Sequence, residues 1–430
     1  MKKILIKNGR VIDPANNLDE ITDILIEGAK ISKIGKNIRT QADEIIEAQD
    51  KIVMPGIVDM HVHLREPGRE DKETIASGTY AAARGGITSV LAMPNTQPAI
   101  DSAQQVNFLK NIIEKTAAVN VFICAAITIG RAGQAVTDIA KLKKAGIVAI
   151  SDDGASVDNA QIMQEALKKA KAENILPICH CEDKKLTAEG VVNLGIISTK
   201  LGLKGISQES EYKRVERDIM LAKESKCPLH IAHVSTRESV AIIALAKKKG
   251  IKVSAEVTPH HFTLSEKMAA DFDTNMKMNP PLRNKEDVAA LREGLKNGTI
   301  DAIASDHAPH TENEKEIEFE RAEFGVIGLE TMLAVSITEL LNTGLLDWKN
   351  LVQKLTFNPA KILGVNKGTL SVGQDADLIV LDPEKVWTVT KAAFVSKSKN
   401  SAFLNRKLKG VVEYTLCHGN IIYKANGIYC

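Results

Sequence analysis

The sequence predicts an α/β fold, a (β/α)8 TIM barrel joined to a small β-sandwich domain built from the N- and C-terminal segments. Three observations predict it. Eight short, nearly continuous apolar runs alternate with amphipathic helical stretches between residues 52 and 310, the pattern of a parallel sheet covered on both faces. Eight strand–helix units match the size of such a barrel, about 250 residues. No GxGxxG turn follows any of the runs, which argues against the doubly wound open sheet that would otherwise fit.

The runs are IVMPGIVDMHVHL (52–64), ITSVLAMPN (87–95), VNVFICAAIT (119–128), GIVAISDDG (146–154), ILPICHCE (175–182), PLHIAHVS (228–235), IKVSAEVTPH (251–260) and IDAIASDHAPH (300–310). Between them lie helical patterns such as TIASGTYAAARGG and AQQVNFLKNIIEKTAA. Outside the barrel, residues 1–53 and 366–430 read as short strands broken by turn signals, in IKNGR, DPANN and GTLSVGQDADLIVLDP. Neither end is long enough to bury a core alone, so the two are expected to pair beside a barrel spanning 54–365.

At 430 residues the chain exceeds what a single core organises. Lys+Arg at 56 balances Asp+Glu at 54, so no electrostatic case exists for a nucleic-acid or acidic-membrane partner. The basic cluster AKKKG at 246–250 reads as a helix C-terminus complementing its dipole. The opening MKKILIKNGR has an apolar run of only Ile4–Ile6, too short for a signal peptide. No stretch approaches the ~20 apolar residues of a membrane span. Six cysteines, Cys124, Cys179, Cys181, Cys227, Cys417 and Cys430, lack framework spacing and suit a reducing cytoplasm.

In such a barrel, chemistry gathers at the C-terminal ends of the strands. His61 and His63 end the first run, Asn95 the second, Asp152 and Asp153 the fourth, His180 the fifth and His233 the sixth. Asp306 ends the eighth, with His307 and His310 beyond. Residues two apart on a strand share a face, so His61 and His63 can reach one ion. The same period sets Cys179 and Cys181 opposite His180, as packing residues rather than thiolate ligands. His230, three before His233, is expected on the opposite face as a structural histidine. Alternation also allows only one of Asp152 and Asp153 to face inward. Imidazoles and carboxylates collected from five strand ends would suit two divalent cations.

DMHVHLREPG, MPNTQP, SDDG, HCED, HVS, NPPLR, SDHAPH and FGVIGLET, in this order, resemble the dihydroorotases of the amidohydrolase superfamily, and the resemblance covers the whole chain. It implies two Zn2+ per subunit, one held by His61 and His63, the other by His180 and His233. Asp153 matches the bridging position and Asp306 the metal-bound catalytic carboxylate. Substrate-binding positions fall on His63, Arg65, Asn95, Asn279 and His310, with the backbone at Phe324 and Gly325. The implied reaction is the reversible cyclisation of N-carbamoyl-L-aspartate to L-dihydroorotate in pyrimidine biosynthesis, with a metal-bridging hydroxide as nucleophile and Asp306 as proton shuttle. Implied partners are the small-molecule substrate, further copies of the chain and, as in some relatives, aspartate carbamoyltransferase.

One position departs from the wider superfamily, which commonly bridges its metals with a carboxylated lysine at the end of strand four. Here that end is ISDDG, and the nearest lysines, Lys143 and Lys144, precede the strand. Arg65 suits a substrate carboxylate, since its planar fork binds one bidentately; Glu66 reads as a loop brace. The charged stretch HTENEKEIEFERAEFG is expected to be an exposed mobile loop, with a lid as the alternative. Two rival functions are a hydantoinase or allantoinase, and a catalytically silent scaffold subunit. The first lacks the LREPG–MPNT pairing and keeps the lysine; the second would have lost metal histidines, all of which are present.

Overall fold

The structure is a computed structural model that describes residues 1–425. Eight parallel strands form the barrel in chain order: Ile57–Val62, Ile87–Ala92, Asn120–Ala125, Ala149–Ile150, Leu176–Cys179, Leu229–Ile231, Val253–Val257 and Ala302–Ile303. Strand eight returns to strand one just past its end, where the His63 amide donates to the His307 carbonyl at 2.9 Å and Val62 bridges His307. Every residue of the first two strands is buried, because helices cover one face and the barrel interior the other.

Two apolar layers follow from that arrangement. Val58, Met60, Leu91, Cys124, Ala149, Ile178, Ala232, Ala302 and Ala304 form the inner layer, packed with Ala360 and Leu363 of the late helix Phe357–Leu363. Ile57, Ile87, Val90, Ile231 and Val257 pack with the covering helices in the larger outer cluster. Cys179 and Cys181 belong to that outer cluster, as the two-residue period requires. The helices begin at side-chain caps that accept orphan amides. Thr74 caps Ile75–Arg84, Ser102 caps Ala103–Thr116, and Thr236 caps Arg237–Lys248, the helix holding the lysine cluster at its C-terminus.

The two ends of the chain meet in one eight-stranded mixed sheet. Its join is Ile52–Pro55, which pairs in parallel with Lys3–Asp13 and antiparallel with Leu378–Thr388, Val53 opposite Val380. Ile4, Ile6, Ile24, Ile26, Val53, Leu378 and Leu416 form its own buried cluster. One part of the C-terminal segment departs from this sheet. After Thr388 the chain runs back across the barrel mouth before rejoining the sheet at Lys407. There Asn400 donates to the carbonyls of Ala308 and Gly325 and accepts from the His310 amide.

Among the described residues no helix is long and apolar enough to cross a membrane. Five cysteines are free and buried; Cys430 lies outside the described residues.

Candidate metal centre and substrate cleft

Strand one delivers His61 and His63 to the barrel mouth, where four histidines surround one carboxylate. Asp153 Oδ1 lies 3.3 Å from His61 Nε2, 3.3 Å from His233 Nε2 and 3.6 Å from His180 Nδ1. Its Oδ2 lies 3.4 Å from His63 Nε2. Asp306 Oδ1 approaches His63 Nε2 at 3.1 Å and His61 Nε2 at 3.6 Å. Burial would raise both carboxyls, but the neighbouring imidazoles, His61 foremost, hold both well below the usual carboxylate range. Asp152 points elsewhere and accepts from the Thr128 amide at 3.0 Å and from its hydroxyl. Asp153 is therefore the inward member of the pair.

The donor set fits divalent metal. Two groups bring three ligand atoms within 4.8 Å of one another: His61, His63 and Asp306, and His61, Asp153 and His233. His61 Nε2 is buried in their midst with no hydrogen-bond partner. His180 stands outside both groups, yet its Nδ1 is 2.9 Å from His233 Nε2. A third cluster, Asp377, Cys417 and His418, has its needs met by protein: Lys367 and Asn120 donate to Asp377 at 2.7 and 2.9 Å.

Alternation fails at the sixth strand. The strand ends at Ile231, and His233 has φ 32°, which turns its side chain back toward the ring. His230 and His233 therefore both reach the metal cluster. His233 does so directly, its ring centroid 5.1 Å from that of His61, and His230 through Glu256, to which both His230 and His61 are bonded. Arg65 (φ 64°) and Asp306 (φ 47°) share the left-handed backbone. Such residues cost of order 1–3 kcal/mol each and concentrate where geometry serves function.

A cleft of about 380 Å³ opens above the cluster, lined by Arg65, Asn95, Asn279, His310, Phe324 and Gly325 together with His63, Asp153, His180 and Asp306. Several of these side chains also brace one another. Asn95 Oδ1 is 2.7 Å from His63 Nδ1, and Asn279 donates to Glu182 at 2.9 Å. Asn279 and the imidazole of His180 help hold the Glu182 carboxyl at about 2, against burial that would raise it. Glu66 accepts from the Ile75 amide at 2.8 Å, a loop brace as expected. At Gly325 (φ 127°) an added Cβ would stand 2.6 Å from the Ala308 Cβ, so only glycine fits there.

Lys72, absent from the sequence reading, settles the state of His310. An ammonium group only donates, and Lys72 Nζ lies 3.0 Å from His310 Nδ1. Nδ1 must therefore accept, so Nε2 carries the hydrogen and donates to the Phe324 carbonyl at 2.8 Å. Burial pushes the imidazole down to about 3, so it stays neutral. Arg65 Nη2, 3.3 Å from that same Nε2, is then a second donor beside it. Since that N–H is taken by Phe324, Nη2 finds no acceptor at His310, and the guanidinium makes this corner of the cleft a candidate anion seat. Lys72→Met is expected to release this tautomer and raise KM for a carboxylate substrate about fivefold, one hydrogen bond's worth, in steady-state assays.

The segment after strand eight is largely exposed, as expected, and it is anchored from below by two buried lysines. Lys315 is 4% exposed and donates to the carbonyls of Glu323 and Gly325 at 2.8 and 3.1 Å. Lys277 donates to those of Phe319 and Glu320. Burial pushes these ammonium groups down to about 7 and about 8. Glu314 adds ion pairs to Arg69 and Lys72. Neither buried lysine has a signature in sequence, where such residues read as surface.

Comparison with known proteins agrees with this geometry. A family model described as Dihydro-orotase-like matches residues 50–239, and one described as Amidohydrolase family matches residues 286–423. A dihydroorotase of Elusimicrobium minutum is 53% identical over 419 residues, 97% of each chain. One from Caldanaerobacter subterraneus is 50% identical over 424 residues, 99% of this chain and 98% of that one. Among solved structures, the L-hydantoinase (dihydropyrimidinase) of Arthrobacter aurescens superposes with a TM-score of 0.91 at 26% identity, covering 100% of this chain and 98% of that one. The hydantoinase shares the architecture at about half the identity that the dihydroorotases show along essentially their full length, and on that ground the chain belongs to the dihydroorotase family of amidohydrolases.

Proposed function

We propose that this chain is a zinc-dependent dihydroorotase, closing N-carbamoyl-L-aspartate to L-dihydroorotate and reopening it in pyrimidine biosynthesis. The observation that carries the reading is the anion seat at Arg65 beside the histidine–aspartate cluster. Both substrate forms keep a carboxylate, and the seat offers the Arg65 guanidinium to it. Asn95, Asn279 and the Phe324–Gly325 backbone line the rest of the cleft and orient the ring.

His61, His63, His180, His233, Asp153 and Asp306 would hold two zinc ions. Bound there, zinc polarises the reacting carbonyl and lowers the pKa of water toward neutrality. Asp306 moves the proton. In ring opening it takes one from the attacking water and passes it to the ring nitrogen as the C–N bond breaks. In closure it takes the proton from the ureido nitrogen as that attacks the protonated carboxyl group, and passes it to the departing hydroxyl, which leaves as water. Arg65 keeps the other carboxylate fixed throughout, so one cleft serves both directions.

The test is a purified assay with dihydroorotate, hydantoin and allantoin, combined with metal analysis. Turnover of dihydroorotate alone is expected, with two zinc ions per chain. Preferred turnover of hydantoin would give the cleft to the hydantoinase reading instead. Chelation is expected to abolish turnover and added zinc to restore it, as followed by dihydroorotate absorbance. The proposal extends to a cytoplasmic homo-oligomer; sedimentation of the protein alone and mixed with aspartate carbamoyltransferase checks its assembly.

A further inference from the structure

Behind the metal cluster lies a buried carboxylate that the proposed chemistry does not use. Glu256, in the seventh barrel strand, is 0% exposed, as are His61 and His230. Its Oε1 is 2.7 Å from His61 Nδ1 and its Oε2 is 3.2 Å from His230 Nε2. His230 Nδ1 in turn lies 2.8 Å from Ser254 Oγ. A carboxylate stripped of water must be paired or strongly bonded. Here the two imidazoles, rather than a lysine or arginine, meet it.

Donor and acceptor roles along this chain are determined from the carboxylate outward. An ionised carboxylate only accepts, so His61 Nδ1 carries a hydrogen, and Nε2 is the ring atom left to face a metal. That Nε2 is the buried atom without a hydrogen-bond partner, 3.3 Å from Asp153 Oδ1 and 3.6 Å from Asp306 Oδ1. By the same logic His230 donates from Nε2, and its Nδ1 is hydrogen-bonded to the Ser254 hydroxyl. Both imidazoles donate to Glu256.

We propose that Glu256 is a positioning residue that fixes His61 as an Nε2 metal donor, with His230 and Ser254 holding Glu256 in turn. This rests on the metal-dependent reading of the cleft. His61 is the one residue common to both donor groups, so an error in its ring orientation or tautomer disturbs both. A carboxylate behind a ligating imidazole also raises its basicity, and its loss commonly costs about 10–100-fold in metal affinity.

The test is zinc titration of metal-free protein against a competing chelator, with the visible spectrum of the cobalt-substituted protein as a second readout. Wild type, Glu256→Gln and Glu256→Ala are compared, with circular dichroism as the check of folding. The expected result is a stepwise loss, about tenfold for Gln, which still accepts from Nδ1 but lacks the charge, and about 100-fold for Ala. The cobalt spectrum shifts in both. Wild-type affinity and spectrum in either folded variant overturn the proposal; should Ala not fold, the near-isosteric Gln decides alone. A wild-type protein that takes up no zinc overturns the metal reading and this inference with it.

Discussion

Asp306→Asn is expected to lower kcat on the order of 10³-fold, within the usual range for a lost general acid–base, while KM changes little. The argument is geometric. Asp306 lines the cleft, lies within 3.6 Å of both strand-one histidines, and is kept ionised by them. An amide of the same shape keeps the packing and one oxygen toward the cluster but cannot take up and release a proton. Steady-state kinetics in both directions, with metal content measured on the same sample, separate this from simple loss of zinc. A variant with full metal and near-normal kcat would remove Asp306 as the proton carrier.

Arg65→Met is the second large effect, expected mainly in KM. Charge-assisted hydrogen bonds are each worth about 1.5–3 kcal/mol, so loss of the guanidinium should raise KM about 100-fold for carbamoyl aspartate and dihydroorotate alike. The metals should remain, because Arg65 touches no proposed ligand: its Nε donates to the Pro309 carbonyl at 3.1 Å and its Nη2 faces His310. Arg65→Lys should recover little, as a point charge cannot reproduce the fork. Burial pushes the guanidinium down only to about 10, so its charge persists through neutral pH and binding should not titrate there on its account. Unchanged KM in the methionine variant would refute the carboxylate seat.

Much of the barrel and metal ring was legible because both obey simple periods. Continuous apolar runs mark strands buried on two faces, and a spacing of two brings His61 and His63 together while sending Cys179 and Cys181 outward. The same reasoning failed at His230, because the left-handed backbone at His233 beyond the strand end breaks the alternation that would have set the two on opposite faces. Backbone sign is not written in side-chain polarity. Glu256 was missed because one acid in the apolar run VSAEV carries no pattern of its own; only the fold brings it to His61, 195 positions away. Lys72 and His310 meet across 238 positions, and nothing local in EDKET announces it. The loop after strand eight holds a related case: most of its charges are solvated as they look, yet Lys315 turns inward and donates its hydrogens to backbone.

The strap around Asn400 sets a limit on when the molecule can work. All eight barrel strands have been synthesised once Ile303 is added, and every proposed metal ligand once Asp306 is. The wall that carries His310, Ala308 and Gly325 gains its clasp only after almost another hundred residues have been synthesised. Under the proposed function, the ligands that would load metal precede, in order of synthesis, the segment that completes the cleft wall.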